Sequence, residues 1–270
     1  MTEEARTLAP FGRRLARVAA NERVGDYTLL RARDEDGPAD PRPGQFYMLA
    51  AEERWGAGAD ERPFLPRAFS FARVTAGPEL SFVLEDVGPG TNRLAELGPG
   101  AGLWLTGPLG IGFTPPGRGR PLLVGGGIGV APLLCWQDEL LAKNGTDPLV
   151  ALLGFRSAAH AEAADLFAGE TRVATDDGSV GHHGFVTELL RAELDRDAEA
   201  TVYACGPPPM LEAVRALCAE RGVPSQLALE SGMACGFGAC FGCVVPTRGG
   251  YVRLCVDGPV IDGARLESVG

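Results

Sequence analysis

The sequence predicts a multidomain protein of α/β plus β class: an antiparallel six-stranded β-barrel at 11–117, a parallel-sheet α/β domain at 118–224 and a small cysteine-rich unit at 225–270. Three observations carry this reading. Short apolar runs broken by Pro and Gly turns fill the first hundred or so residues. Buried strand-like runs alternate with helical stretches from Pro121 onward, and four of the seven cysteines fall between Cys235 and Cys255. A chain of 270 residues can bury a substantial core and, by size, divides into two or three domains rather than forming one.

The barrel is expected from strands at Leu15–Ala19, Tyr27–Arg31, Gln45–Leu49, Ala68–Arg73, Leu80–Val87 and Gly102–Thr106, each bounded by turn signals. The 38 glycines and 21 prolines have no period, which argues for tight turns rather than disorder. Residues 50–66 form a charged loop containing Trp and Pro, to which no role is assigned. Past Pro121, Leu122–Val124 leads through Gly125-Gly126-Gly127-Ile128-Gly129 into a helix over Ala131–Ala142. Further strands are expected at Leu149–Leu153, Thr171–Ala174 and Val202–Ala204, with helices at His160–Phe167, Phe185–Arg196 and Pro208–Arg221. This alternation implies a parallel sheet covered by helices on both faces.

Composition narrows the function. A net charge of −10 without a Lys/Arg cluster disfavours nucleic acid, whose phosphates need concentrated positive charge. Met1 to Arg14 lacks the apolar core of a secretory signal, and no run approaches the ~18 apolar residues of a membrane span. A cytoplasmic protein is expected, with neither nucleic acid nor membrane as partner. Seven cysteines in such a chain point to metal or redox chemistry rather than disulfides.

Cys235, Cys240 and Cys243, followed by Cys255, have the C-x4-C-x2-C…C spacing of plant-type [2Fe–2S] sites. Gly236, Gly238 and Gly242 let the backbone approach the inorganic sulfides, where N–H groups can donate. A structural zinc would also take four cysteines, but its usual text is paired C-x2-4-C knuckles, and the Cys235–Cys240 gap is wider.

Arg67-Ala68-Phe69-Ser70 places a bidentate phosphate partner, an aromatic and a hydroxyl on one predicted strand; its plain alternative is an edge strand. Gly88-Pro-Gly90-Thr91-Asn92 offers N–H groups before a helix, or merely a capped turn. Gly125, Gly126, Gly127 and Gly129 form a strand–helix turn suited to a dinucleotide pyrophosphate, though without G-x-G-x-x-G spacing. Cys205-Gly206-Pro207-Pro-Pro-Met210 likewise follows a buried strand and opens a helix, on the same edge of the sheet. Cys205 is read as a buried thiol outside the metal site. His182-His183 is read as a solvated loop, and Asp176-Asp177 as a turn cap, with recognition of a ribose hydroxyl as its alternative.

In this order the motifs resemble the ferredoxin reductase-like superfamily and, within it, the electron-transfer subunits of class 1B dihydroorotate dehydrogenases, from about Arg17 to Gly263. Arg67 to Ser70 matches that family's R-P-x-S, with Ala68 where Pro is usual; Arg62-Pro63-Phe64-Leu65 competes but lacks the Ser. Gly88 to Thr91 matches its G-x-G-T, Gly125 to Pro132 and Cys205 to Met210 its nicotinamide motifs, and Glu230 to Cys243 with Cys255 to Val260 its most specific text. The resemblance implies FAD in the barrel, NAD as co-substrate on the sheet and a [2Fe–2S] cluster on Cys235, Cys240, Cys243 and Cys255. Its flavin site takes in Leu84, Glu85 and Asp86 besides Arg67, Ala68, Phe69, Ser70, Gly90 and Thr91. It further implies an FMN-containing catalytic subunit that oxidises dihydroorotate in pyrimidine biosynthesis, assembled with this chain as a heterotetramer, and no acid–base catalytic residue here. Rival readings are a ferredoxin–NADP transhydrogenase subunit, in which Asp usually stands at the position of Cys235, a hydrogenase diaphorase, and a non-enzymatic zinc-bound docking protein. Protein purified anaerobically should carry about two irons and two acid-labile sulfides per chain. Iron-free, zinc-loaded protein from iron-replete cells would overturn the cluster assignment.

Overall fold

The computed structural model describes residues 12–38, 40–56, 63–75, 78–144 and 149–269. The expected domain start at 11, Arg62 and residues 57–61 of the 50–66 loop lie outside them. Six strands close the barrel: β1 (Arg14–Val24), β2 (Tyr27–Arg33), β3 (Phe46–Ala51), β4 (Arg67–Thr75), β5 (Glu79–Glu85) and β6 (Gly102–Leu109), with the short helix α1 (Pro89–Ala95) between the last two. Their order is β1-β2-β5-β4-β3-β6, every pair antiparallel, and β1 returns to β6 through Arg14↔Leu105 to Arg17↔Gly102. Alternate residues point inward, so Ala16, Leu30, Tyr47, Leu49, Phe71, Phe82, Leu84 and Leu103 share one core. Tyr47 stands edge-on to both Phe71 and Phe82.

The second unit alternates as expected: β7 (Arg120–Gly126), α2 (Ala131–Asn144), β8 (Val150–Phe155), α3 (Ala158–Ala161), β9 (Glu170–Thr175), β10 (His182–His183), α4 (Val186–Arg196), β11 (Ala200–Cys205), α5 (Pro208–Arg221) and β12 (Ser225–Ala228). The C-terminal segment adds the hairpin β13 (Val244–Thr247) and β14 (Gly250–Arg253), the turn of helix α6 (Leu254–Asp257) and β15 (Val260–Asp262). The sheet runs β10-β9-β8-β7-β11-β12-β15, parallel throughout except for β15. Leu122, Val124, Leu152 and Val202 face α4 and α5, while Leu123, Ala151, Leu153 and Tyr203 face α2 and α3.

Three expectations change. The helix at His160–Phe167 is only α3 followed by a 3-10 turn, Glu162–Leu166. Gln137 grips Ala168 from both sides (2.8 Å each), which pulls the chain out of helix before another turn can form. His182-His183 is a short edge strand rather than a loop, with His182 against Glu188 at 2.7 Å. The expected strands omit β12 and β15, which residues from 225 onward add to the large sheet; at four and three residues they are too short to show a period in the sequence.

The barrel docks on α2 and α3. Cys135 of α2 donates to the Phe71 carbonyl at 3.5 Å. Gly25, at φ +56, brings the β1–β2 turn against α3 so closely that a Cβ would lie 1.8 Å from the Ala159 carbonyl oxygen. At the barrel's start, Arg14 Nη2 reaches Asp34 (2.7 Å) and the Gly107 carbonyl (2.7 Å), and both side chains of the pair are nearly buried. Arg14→Met should destabilise the protein by about 3–5 kcal/mol, because Asp34 is left buried without its partner. A drop in the urea midpoint at constant m-value is the expected readout.

Candidate functional site: a cleft between barrel, sheet and cysteine loop

The four cysteines of the predicted site gather at the C-terminal loop and hairpin. Cys243 and Cys255 are buried with their sulfurs 3.2 Å apart. Cys235 and Cys240 form the other pair. Burial alone would raise the Cys235 thiol, yet the N–H groups of Cys240, Phe237 and Ala239 and the Cys240 thiol converge on its sulfur and hold it down to about 6. Cys255 is pushed the other way, to about 12, by burial and then by Cys243. Among the described residues no three His, Cys, Asp or Glu side chains meet as a ligand set for one ion. The division two and two matches a cluster with two irons.

Glycine places this loop. A Cβ on Gly236 would lie 2.6 Å from Met48 Cγ and 3.1 Å from Leu109 Cδ1, so the chain just after Cys235 lies on the barrel wall. Two residues before Cys235, Met233 lines an open cleft of about 170 Å³. The barrel contributes Phe46, Ala68, Phe69, Ser70 and Val83 to it; the sheet edge contributes Ile128, Ala131 and Pro132, and the C-terminal segment Leu229, Glu230, Ser231 and Pro259. Three of the four residues of the predicted flavin motif thus face the nicotinamide turn across one cleft. The opening of β4 stays accessible from Arg67 to Ser70, as a planar ring laid against it requires.

Arg67 sits beside the cleft against the second flavin motif: a Cβ on Gly90 would meet its guanidinium at 2.5 Å. Thr91 Oγ1 accepts from the N–H groups of Val87 (2.9 Å) and Gly88 (3.1 Å), which shapes the turn. Arg67 Nη1 donates to the Leu65 carbonyl and its guanidinium lies 5.7 Å from the Trp55 ring. On the sheet, Gly126 and Gly206 are packed under Met210; a Cβ on Gly126 would lie 2.4 Å from its sulfur. Gly129 presses on the backbone of Cys205 at 2.5 Å by the same measure, so the two predicted nicotinamide segments are one surface.

The family model for the iron-sulfur cluster binding domain of dihydroorotate dehydrogenase B matches residues 230–267, and that for the oxidoreductase NAD-binding domain matches residues 123–216. The dihydroorotate dehydrogenase B (NAD(+)) electron transfer subunit of Clostridium acetobutylicum is 37% identical over 232 residues, 85% of this chain and 88% of that one. Its counterpart from Bacillus caldolyticus is 42% identical over 229 residues, 81% of this chain and 84% of the other. The chain belongs to the dihydroorotate dehydrogenase B electron-transfer subunit family. Among solved structures it superposes on a chain of the NADH-dependent reduced ferredoxin-NADP oxidoreductase with a TM-score of 0.81, at 26% identity, covering 99% of this chain and 92% of that one.

Within this electron-transfer subunit, several site features were not visible as such in the sequence. Glu230 lines the same cleft as Ser70, and the protein around it raises its carboxyl above the usual range by desolvation although the residue is open to solvent. Burial, and then the charge of Glu230, push the Cys205 thiol well above its ordinary value, so it stays neutral beside the cleft. Phe46 and Val83 carry no site signal in the sequence, and only the meeting of the units makes them a lining beside Ile128 and Pro132 of the expected nicotinamide motif. The expected flavin residues Leu84, Glu85 and Asp86 are placed unevenly. Leu84 is buried in the barrel core, Asp86 accepts from Asn92 at 3.0 Å, and Glu85 pairs with Arg156 of the nicotinamide domain. Arg67→Ala should loosen FAD by about 1.5–3 kcal/mol, roughly ten- to a hundredfold in affinity, while iron content holds. Full flavin occupancy of that variant after dilution and gel filtration would remove Arg67 from the flavin site.

Proposed function

We propose that the chain carries electrons from dihydroorotate oxidation in an FMN-containing catalytic subunit, through its [2Fe–2S] cluster and FAD, to NAD, as a step of pyrimidine biosynthesis. One observation carries the reading: the cysteine loop joins the cleft to an open apolar face. Its inner end is Met233 in the cleft, and its outer end is the exposed Cys240, with Phe237 and Phe241 near it in the loop at 47% and 62% exposure and Tyr251 of the following hairpin at 79%. Phe241 holds φ +58 and lies 5.4 Å under the Arg253 guanidinium, which fixes an aromatic outward beside a cluster ligand. That face suits a catalytic partner, with a heterotetramer as the assembly we propose.

When bound, FAD exchanges a hydride with nicotinamide and single electrons with a [2Fe–2S] cluster, the conversion such a path needs. The protein's part is placement. Arg67 and the Gly90–Thr91 turn would hold the pyrophosphate of FAD, with Ala68 to Ser70 along its ring. Gly125 to Gly129 and Cys205 to Met210 would hold NAD against the ring's open side, and Cys235, Cys240, Cys243 and Cys255 the cluster. The apolar residues of the cleft would cover the part of the ring laid against them from water. We propose a cytoplasmic setting; among the described residues no helix is long and apolar enough to cross a membrane. The ferredoxin-NADP oxidoreductase likeness favours a related reading in which the outer partner differs, and the curated relatives and the thiol at 235 argue for the dihydroorotate one.

Cys240→Ser should impair the cluster, since a serine oxygen suits iron among sulfides less well than thiolate. NADH oxidation with a soluble dye should continue, and dihydroorotate-driven NAD reduction by the complex should collapse. The measurement is the ratio of these activities in one preparation matched for FAD. Equal loss of both with flavin retained, or retention of both, would contradict the proposed path.

A further inference from the structure

If nicotinamide occupies the sheet edge as proposed, a reading on which the inference below depends, the part of the dinucleotide farthest from the flavin must also find a seat. Ile128 and Pro132 follow β7, Leu229 and Glu230 follow β12, and all four line the cleft. The reactive end of a dinucleotide therefore lies over the ends of β7 and β11. Leu229 to Ser231 close the direction toward β12, so the remainder extends across the carboxyl ends of β8 and β9. In register, Gly126 lies beside Gly154, and Gly154 beside Ala174. The end of β9 is thus two strand spacings, about 10 Å, from the glycine turn, within reach of the adenosine half.

Asp176 and Asp177 follow directly on β9. Their N–H groups donate to the carbonyls of Phe155 (3.0 Å) and Arg156 (3.3 Å), which ties both residues to the end of β8. The two carboxylates then differ. Asp177 Oδ1 accepts from the N–H (3.0 Å) and hydroxyl (2.6 Å) of Ser179, and these bonds hold its carboxyl below the usual range. Asp177 is the turn cap. Asp176 is exposed, and its carboxylate makes no hydrogen bond or ion pair with any described residue.

The arginine of this edge is directed elsewhere, for Arg156 pairs with Glu85. Two of the imidazoles also have carboxylate partners, His160 between Asp26 (3.2 Å) and Glu85 (3.6 Å) and His182 on Glu188 (2.7 Å), while His183 packs against Gly178 of the same turn and makes no hydrogen bond or ion pair with Asp176. A ribose 2′-hydroxyl has a proton to donate to a carboxylate. A 2′-phosphate has about −1.5 to −2 charges and acceptor oxygens only, so it would meet one free carboxylate and a second one close behind it.

We propose that Asp176 selects NAD over NADP, its carboxylate accepting the 2′-hydroxyl of the adenosine ribose and repelling a 2′-phosphate. The test uses the protein carrying both FAD and cluster, with NADH or NADPH reducing a soluble dye. Wild type should favour NADH in kcat/KM by at least about tenfold, and Asp176→Asn should lower that preference at least about tenfold, mainly through a smaller KM for NADPH. The KM for NADH should rise a few-fold, as expected for a lost hydrogen bond. Asp176→Ser should behave alike, with FAD content and melting temperature confirming the fold of both variants. A preference unchanged within about twofold in both variants, or a wild type that favours NADPH, overturns the assignment. A wild type that oxidises neither nucleotide overturns the nicotinamide reading itself.

Discussion

The backbone of Gly258-Pro259-Val260 is the junction on which the three units hang. The Gly258 carbonyl accepts from the N–H of Ile111, where the chain leaves the barrel, and the Ile111 carbonyl accepts from Val260 at 3.4 Å. The Pro259 carbonyl accepts from Leu229 at 3.0 Å, just past β12, where the chain leaves the sheet for the cysteine loop. Val260 then opens β15, the antiparallel edge of the large sheet. These are backbone bonds, and little can change there without moving all three units. A Cβ on Gly110 would lie 2.3 Å from the Gly258 carbonyl oxygen, so even the approach depends on a missing side chain. The cleft is a consequence, since its walls belong to the three chain segments held at this point.

A second set of contacts sets the angle between barrel and sheet. Glu85 ends a barrel strand and Arg156 directly follows a sheet strand; their pairing, with His160 between Glu85 and Asp26, spans the two units. His160 also stands edge-on to Tyr27, with ring centroids 5.4 Å apart. Exposed ion pairs contribute little to stability by themselves. Here they act with the Gly25–Ala159 approach to fix a relative orientation, which is what transfer between two stacked rings requires.

Much of this was legible in the sequence, for reasons that differ by element. Barrel strands showed because each is bounded by turn residues, and the parallel strands because both faces are buried. The cysteines showed because a cluster constrains their spacing directly. Other features depend on partners distant in the chain. β12 and β15 exist because they pair with each other and with β11, and the 3-10 turn after α3 because Gln137 holds Ala168. Glu230 becomes a site residue only because the C-terminal segment and the barrel strand bearing Ser70 line one cleft. Asp176 and Asp177 are adjacent and identical in sequence, and only Ser179 separates the cap from the free carboxylate.

The same dependence on surroundings sorts the seven cysteines. Cys218, on the buried face of α5, is pushed up to about 12 by burial, and burial also raises Cys135 and Cys205 well above the ordinary thiol range. At neutral pH all three are thiols, closed to metal and to oxidants. Cys235 differs in kind, because backbone N–H groups released from secondary structure by Gly236 and Gly238, at φ +80 and +89, turn toward its sulfur. Those donors stabilise a thiolate, and they are placed to stabilise sulfide charge in a cluster as well. The fold thus keeps these three sulfurs neutral within the packed core and directs the N–H groups of Phe237, Ala239 and Cys240 to a loop where negative sulfur is to be held. This explains how a single chain can combine a reactive cluster loop with a thiol, Cys205, at the edge of the flavin cleft without the two sites competing for iron.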